Sequence, residues 1–266
     1  MLNDHEFMRY SRQLLLEDIG PEGQGKLKTS KVLIVGLGGL GAPASLYLAA
    51  AGVGELWLAD HDELHLSNLQ RQVLYGTEDI PQSKAKLAAK RLQDLNPLIH
   101  THVLQQKLDI HTLLPLVEQV DLVLDCCDNM ATRHAVNAAC VMANKTLVSG
   151  SAVGFGGQLM VLEPPFNHGC YACLYPDQTE PQRNCRTAGV LGPVVGVIGT
   201  LQALEAIKLL VGLPSSLSGK LRLFDGKQQQ WNTLQLTPSI QCPICREETC
   251  ALELTTSQWR LMRHYP

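Results

Sequence analysis

Five residues, Lys31-Val32-Leu33-Ile34-Val35, run without a break into Gly36-Leu37-Gly38-Gly39-Leu40-Gly41. A short apolar strand feeding a G-x-G-x-x-G turn that opens a helix commits a chain to strand–helix–strand units. The glycines permit a tight reversal and let backbone come close to a phosphate. Further apolar runs at Leu56–Ala59, Ile99–Leu104, Leu122–Cys126 and Thr146–Val148 alternate with helical periodicity over Gly41–Ala51, Ser83–Leu95, Asp109–Leu116 and Met130–Ala143. Ser83 is placed to cap its helix and Gly52 to stop the first one. The alternation predicts an α/β fold, a Rossmann-like doubly wound and mainly parallel sheet with helices on both faces.

After Ser149 the pattern changes. Val153–Leu162 reads as a glycine-rich strand, Glu163 to Thr187 has no periodicity, and Pro193–Val211 reads as a long helix. Strands near Lys220–Asp225 and Gln230–Leu236 follow, expected to pair antiparallel and to continue the sheet. With 266 residues and 45% hydrophobic content, the chain is expected to form one domain over 1–266, in halves 1–150 and 151–266. A formal charge of −3 without a dense basic cluster argues against nucleic acid. The N-terminus lacks the apolar stretch of a signal peptide, and Gly192, Pro193, Gly196 and Gly199 interrupt the least polar region, so a buried helix is expected there and no membrane span.

Nine cysteines without a secretion signal point to a reducing compartment, by default the cytoplasm, where thiols serve metals or catalysis. Cys170-x-x-Cys173 and Cys242-x-x-Cys245 together match a structural zinc site, since four thiolates close a tetrahedron around Zn2+. The alternative is one redox pair and one coincidence. Cys126, Cys127 and Cys140 read as core residues, and Cys250 has no assignable role. Cys185 lies between Arg183 and Arg186, cations that favour its thiolate, though an ordinary loop cysteine fits equally.

Ligands of such sheets gather beyond the carboxyl ends of the strands. Asp60 after the second strand suits a ribose hydroxyl, the glycine turn suits phosphate, and Asp128 suits Mg2+. Arg71 and Lys84 add cations that hydride transfer to a nicotinamide does not need. Each has a plainer alternative: Asp60 capping its strand, Arg71 and Lys84 as solvated charges, Asp128 as a helix N-cap. No Walker A, G-x-S-x-G or H-E-x-x-H pattern appears, and no His sits in a motif that implies general-base work. A carboxylate nucleophile needs none, because a peptide C-terminus with a pKa of about 3.3–3.7 is already ionised. A nicotinamide dehydrogenase and a non-catalytic nucleotide-binding module stay open on these residues alone.

Arg9-Tyr10-Ser11-Arg12-Gln13, Gly36–Gly41, Ser67-Asn68-Leu69-Gln70-Arg71-Gln72, Asp125–Arg133, Arg183–Val190, both cysteine pairs and Leu223-Phe224-Asp225-Gly226 together resemble the MoeB/ThiF family of ubiquitin-activating-like enzymes. The resemblance implies that ATP and Mg2+ activate the C-terminal Gly-Gly end of a sulfur carrier as an acyl-adenylate. The carrier implied is ThiS of thiamine biosynthesis, or alternatively that of molybdopterin synthase. It also implies a homodimer in which Arg12 reaches the partner's ATP, and a sulfur donor such as a cysteine desulfurase. Carried over by position, Gly36, Gly38, Gly39, Gly41, Asp60, Asp62, Asn68, Arg71, Gln72, Lys84, Asp128 and Asn129 would bind the nucleotide and its Mg2+. Arg12, Arg71, Lys84, Asp128 and Cys185 would act in catalysis, Cys185 by an acyl-disulfide with the carrier. Residues 1–150 would then be the nucleotide half and 151–266 the carrier-binding and zinc half, with Gly154–Gly157 either bordering the carrier's tail or forming a simple β-bulge.

Overall fold

The computed structural model describes residues 2–179 and 187–246. Helices α1 (Asp4–Arg9), α2 (Ser11–Leu14) and α3 (Gly20–Thr29) precede β1 (Lys31–Val35), α4 (Gly41–Ala51) and β2 (Glu55–Ala59). Two 3-10 turns, Leu66–Asn68 and Thr77–Asp79, lead into α5 (Lys84–Leu95) and β3 (His100–Leu104). Then come α6 (Ile110–Glu118), β4 (Leu122–Asp125), α7 (Met130–Met142), β5 (Thr146–Val153) and β6 (Gly156–Leu162). The short α8 (Tyr171–Leu174), the long α9 (Gly192–Val211), β7 (Lys220–Asp225) and β8 (Gln230–Gln235) complete the described chain.

The eight described strands form one sheet in the order β3-β2-β1-β4-β5-β6-β7-β8. Pairing is parallel from β3 through β5 and antiparallel from β5 through β8. The expected α/β class and its antiparallel continuation are what the chain adopts. Strand β1 shows why its sequence is uniformly apolar: Val32 and Ile34 enter the core under α4, α5 and α9, while Leu33 and Val35 enter the core on the α6 and α7 side. A strand buried on both faces has no polar side to alternate with. The chain winds outward from β1 through β2 to β3 and then returns to place β4 on the other side of β1. That reversal opens a crevice at the carboxyl ends of β1 and β4.

Sequence periodicity misplaces one element. Val153–Leu162 is not a single strand, because β5 runs to Val153 and turns through Gly154 and Phe155 into β6. Gly154 sits at φ +60, a conformation that a two-residue hairpin turn demands and glycine adopts without strain. The bulge alternative for Gly154–Gly157 is therefore replaced by a hairpin. Helix α9 is the buried helix expected over Pro193–Val211, although its 20 residues are by length and composition apolar enough to cross a membrane. It lies over the sheet and against α4, with its own Gln202 and Glu205 buried, as in a core helix.

Candidate active site

The glycine turn assigns each of its glycines a different task. Gly36 holds φ +92, and a Cβ there would fall 2.7 Å from the Cys126 carbonyl oxygen. A Cβ on Gly41 would lie only 1.9 Å from the Gly36 oxygen, so α4 can start against the strand end only with glycine. Gly39 is hemmed in by Val195 and by the stem of Arg71. Gly38 is the open one, its nearest neighbour being the side-chain nitrogen of Gln72 at 3.3 Å. Helix α4 begins with no side-chain cap, but the Ala42 N–H donates to the Gly38 carbonyl at 2.9 Å and Pro43 carries no N–H, so an anion would meet the backbone of the glycine turn rather than that of the helix.

Around this turn the structure gathers the sequence-predicted residues. The Leu37 N–H donates to one Asp60 carboxylate oxygen at 2.8 Å and the Asp62 N–H to the other at 2.9 Å. Burial pushes the Asp60 carboxyl above its ordinary range, opposed by the Lys84 charge and these donors. Lys84, first residue of α5, is buried with its ammonium 2.9 Å from Asp62, whose carboxylate is half exposed. Tyr75, which sequence reasoning missed, donates its hydroxyl to the Leu37 carbonyl at 2.9 Å and so braces the turn. Asn68 organises the 3-10 turn, accepting from the His65 N–H through its side chain and from the Arg71 and Gln72 N–H groups through its carbonyl. Arg71 donates to the Ser67 carbonyl at 3.0 Å and packs on Gly39. The buried Gln72 side-chain oxygen has no hydrogen-bond partner among the described residues. A ligand N–H or O–H at the glycine turn would satisfy it.

Asp128 leaves the end of β4 as an exposed carboxylate beyond Cys127, next to the backbone that Gly36 contacts. Its alternative as helix N-cap is corrected: Asn129 is the cap of α7, its Oδ1 accepting from the Thr132 N–H at 2.9 Å. Arg12 stands apart from this group. Tyr10 packs on Gly52 and its hydroxyl accepts from the Asn96 side chain, while Gln13 donates to the Ala51 carbonyl. These anchors place α2 at the C-terminal end of α4, about 16 Å of helix away from the glycine turn.

Beneath the rim lies a polar network that the sequence reading did not identify. Asp125 accepts from the Arg133 guanidinium at 2.8 Å, the Ser149 hydroxyl at 2.7 Å and the Cys127 N–H at 3.0 Å. Arg133 also donates to the Cys127 carbonyl. Gln202 of α9, fully buried, donates to the carbonyls of Asp125 and Val148. Removing one member of a buried ion pair strands the other charge, a cost of about 3–5 kcal/mol. The network therefore fixes the backbone that presents Asp128.

Beside the next turn of α7, Cys170, Cys173, Cys242 and Cys245 converge, with all four sulfurs within 4.8 Å of one another. Cys170 and Cys242 sulfurs are 3.7 Å apart, and those of Cys173 and Cys245 3.4 Å. Tetrahedral Zn2+ with sulfur at about 2.3 Å requires sulfur pairs near about 3.8 Å, so the cluster fits such an ion. Gly169 at φ +95 permits the turn, since a Cβ there would crowd the Cys173 sulfur at 3.1 Å. The Arg246 side chain ties the second pair to the first through the Asn167 carbonyl. Cys126, Cys127 and Cys140 are buried, and burial raises each thiol. Cys185 and Cys250 lie outside the described residues.

Residues 10–244 match the ThiF family. The chain belongs to the ThiF family. A ThiF-family relative from Escherichia coli (strain K12), the sulfur carrier protein ThiS adenylyltransferase, is 62% identical over 244 residues, covering 92% of this chain and 97% of that protein. The adenylyltransferase and sulfurtransferase MOCS3 of Culex quinquefasciatus is 44% identical over 271 residues, and the chain spans 61% of its length. Among solved structures, E. coli MccB with ATP superposes with a TM-score of 0.78 at 27% identity, covering 91% of this chain and 75% of that one. MccB with AMPCPP and MccA gives 0.76 at 27% identity, over 89% and 74%.

Proposed function

We propose that this ThiF-family protein adenylates the C-terminal glycine carboxylate of ThiS at the expense of ATP, releasing pyrophosphate. The single observation that carries the reading is the 62% identity to the E. coli ThiS adenylyltransferase across nearly both whole chains. The crevice supports it independently with an approachable Gly38 and an orphaned Gln72 oxygen.

In this reading the carrier's terminal carboxylate oxygen attacks the α-phosphorus of ATP. The bond to the bridging oxygen between the α and β phosphates breaks, and its electron pair leaves with pyrophosphate. No proton has to be removed from the nucleophile, so the protein's work is alignment and charge neutralisation. Backbone N–H groups of the glycine turn bind phosphate oxygens and Asp60 receives the ribose hydroxyls. Asn68, Gln72, Arg71 and Lys84 hold the triphosphate as negative charge moves to the leaving group, with Asp62 keeping the Lys84 ammonium at the rim. Asp128, beside Asn129, offers a carboxylate for Mg2+, which when bound neutralises the phosphates. Arg12 is too far along α4 to serve its own crevice, which supports a homodimer in which it serves the neighbour's. The thiolate cluster, with its sulfur spacing, supports Zn2+ in a purely structural role.

Residues 1–150 would form the nucleotide half of one domain and 151–266 the half that receives the carrier and holds the metal. The later sulfur transfer, with a cysteine desulfurase as donor, falls to Cys185. A reducing, cytoplasmic setting would suit cysteines that gather as metal ligands.

Arg71→Ala and Asp128→Ala should each lower carrier-dependent ATP–pyrophosphate exchange by about 10²–10³, the cost of losing a preorganised charge stabiliser. Exchange at the wild-type rate in both variants would remove these residues from the site.

A further inference from the structure

Asn137 is buried on α7, 1% exposed, and faces the metal cluster. Its side-chain oxygen accepts from the Tyr171 N–H at 2.9 Å, and its side-chain nitrogen lies 3.5 Å from the Cys170 sulfur. The first contact fixes the second. A backbone N–H is only a donor, so the amide must present oxygen to Tyr171, and its NH2 group is then committed to Cys170. One side chain thus holds two consecutive groups of the segment that carries the first cysteine pair.

We propose that Asn137 is a positioning residue of the metal centre, donating an N–H···S hydrogen bond that orients the Cys170 thiolate toward the ion. The inference rests on the reading of the four cysteines as a metal site. Four thiolates around a divalent cation leave excess negative charge in a largely buried place, and a hydrogen bond donated to sulfur disperses it. Outer partners of this kind fix ligand orientation and tune affinity as the direct ligands do. The placement also joins two sites. Arg133, one turn earlier on the same helix, holds the Cys127 carbonyl beside Asp128. Helix α7 therefore grips the nucleotide rim with Arg133 and the metal loop with Asn137.

The test uses the full-length protein loaded with Co2+ as a spectroscopic substitute, in wild type, Asn137→Asp and Asn137→Ala. Asn137→Asp keeps an oxygen for the Tyr171 N–H and replaces the NH2 group facing sulfur, so it carries the test if Asn137→Ala does not fold. Chelator competition should show metal affinity lowered by about 10–100-fold, as loss of an outer partner does. The thiolate-to-cobalt charge-transfer band should move to longer wavelength, because a sulfur freed of its hydrogen bond gives up electrons more easily. A folded Asn137→Asp protein with the wild-type band and wild-type affinity would overturn the assignment. A wild-type protein that takes up no stoichiometric metal would overturn both it and the cysteine reading beneath it.

Discussion

Burial holds the His134 imidazole below its ordinary range, against the raising pull of a hydrogen bond to the Asp177 backbone and of the Asp125 charge. Its ring stands edge-on to Tyr171, and its Nε2 has no hydrogen-bond partner among the described residues. The unfolded chain takes up a proton near pH 6.5, whereas the folded protein resists until a lower pH. The unfolded state therefore binds more protons in that interval, and stability falls as pH drops below about 6.5. One such group gives a slope of at most about 1.4 kcal/mol per pH unit. Urea melts from pH 8 to 5 should show this decline in the wild type and a shallower one in His134→Phe; identical slopes would mean that His134 titrates as it does unfolded. Residues with local motif context, such as the glycines and Asp60, were legible in the sequence. Tyr75, Gln202 and the Asp125–Arg133 pair were not, because their partners lie on other elements and no spacing rule reports them.

The glycine turn makes a sharper claim than its motif does. Gly41→Ala should disrupt folding, because its Cβ would have to occupy the place of the Gly36 carbonyl, and backbone cannot swing aside as a side chain can. Gly38→Ala meets only the tip of Gln72, so it should leave the thermal midpoint close to wild type while weakening ATP binding. Calorimetry and ATP titration on the two variants would separate these outcomes; equal loss of stability in both would show that Gly38 serves packing and not approach. Elements with strong periodicity, α4, α5, α7 and strands β1 to β4, could be read from sequence to within a residue or two, whereas β5 runs five residues past the expected end at Val148. Helices α1 to α3 could not. Glycines at 20, 23 and 25 dilute the helical pattern in α3, and packing against α9 supplies what local propensity lacks. The hairpin at Gly154 was hidden because glycines on both sides of the turn look alike until the register is known.

At the scale of the whole molecule, the fold places a nucleotide crevice by the first turn of α7 and a metal cluster by the next, with Arg12 out of reach of its own crevice. Cysteine pairs about 70 residues apart could be recognised by spacing, yet only the fold shows that α7 supports both sites. If the site is shared between subunits, Arg12→Ala and Arg71→Ala proteins should each be inactive alone. Mixed under subunit exchange, they should recover about a quarter of wild-type exchange activity, since half of random dimers carry one intact site. No recovery would place Arg12 outside the neighbour's site. The most direct test of the central claim offers ThiS and the molybdopterin-pathway carrier separately, each with ATP and Mg2+, and weighs the intact carrier. The account predicts a mass gain equal to one AMP on ThiS, abolished when its terminal glycine is removed. ThiS that gains no AMP while the enzyme is folded and binds ATP, or AMP appearing only on the other carrier, would contradict it.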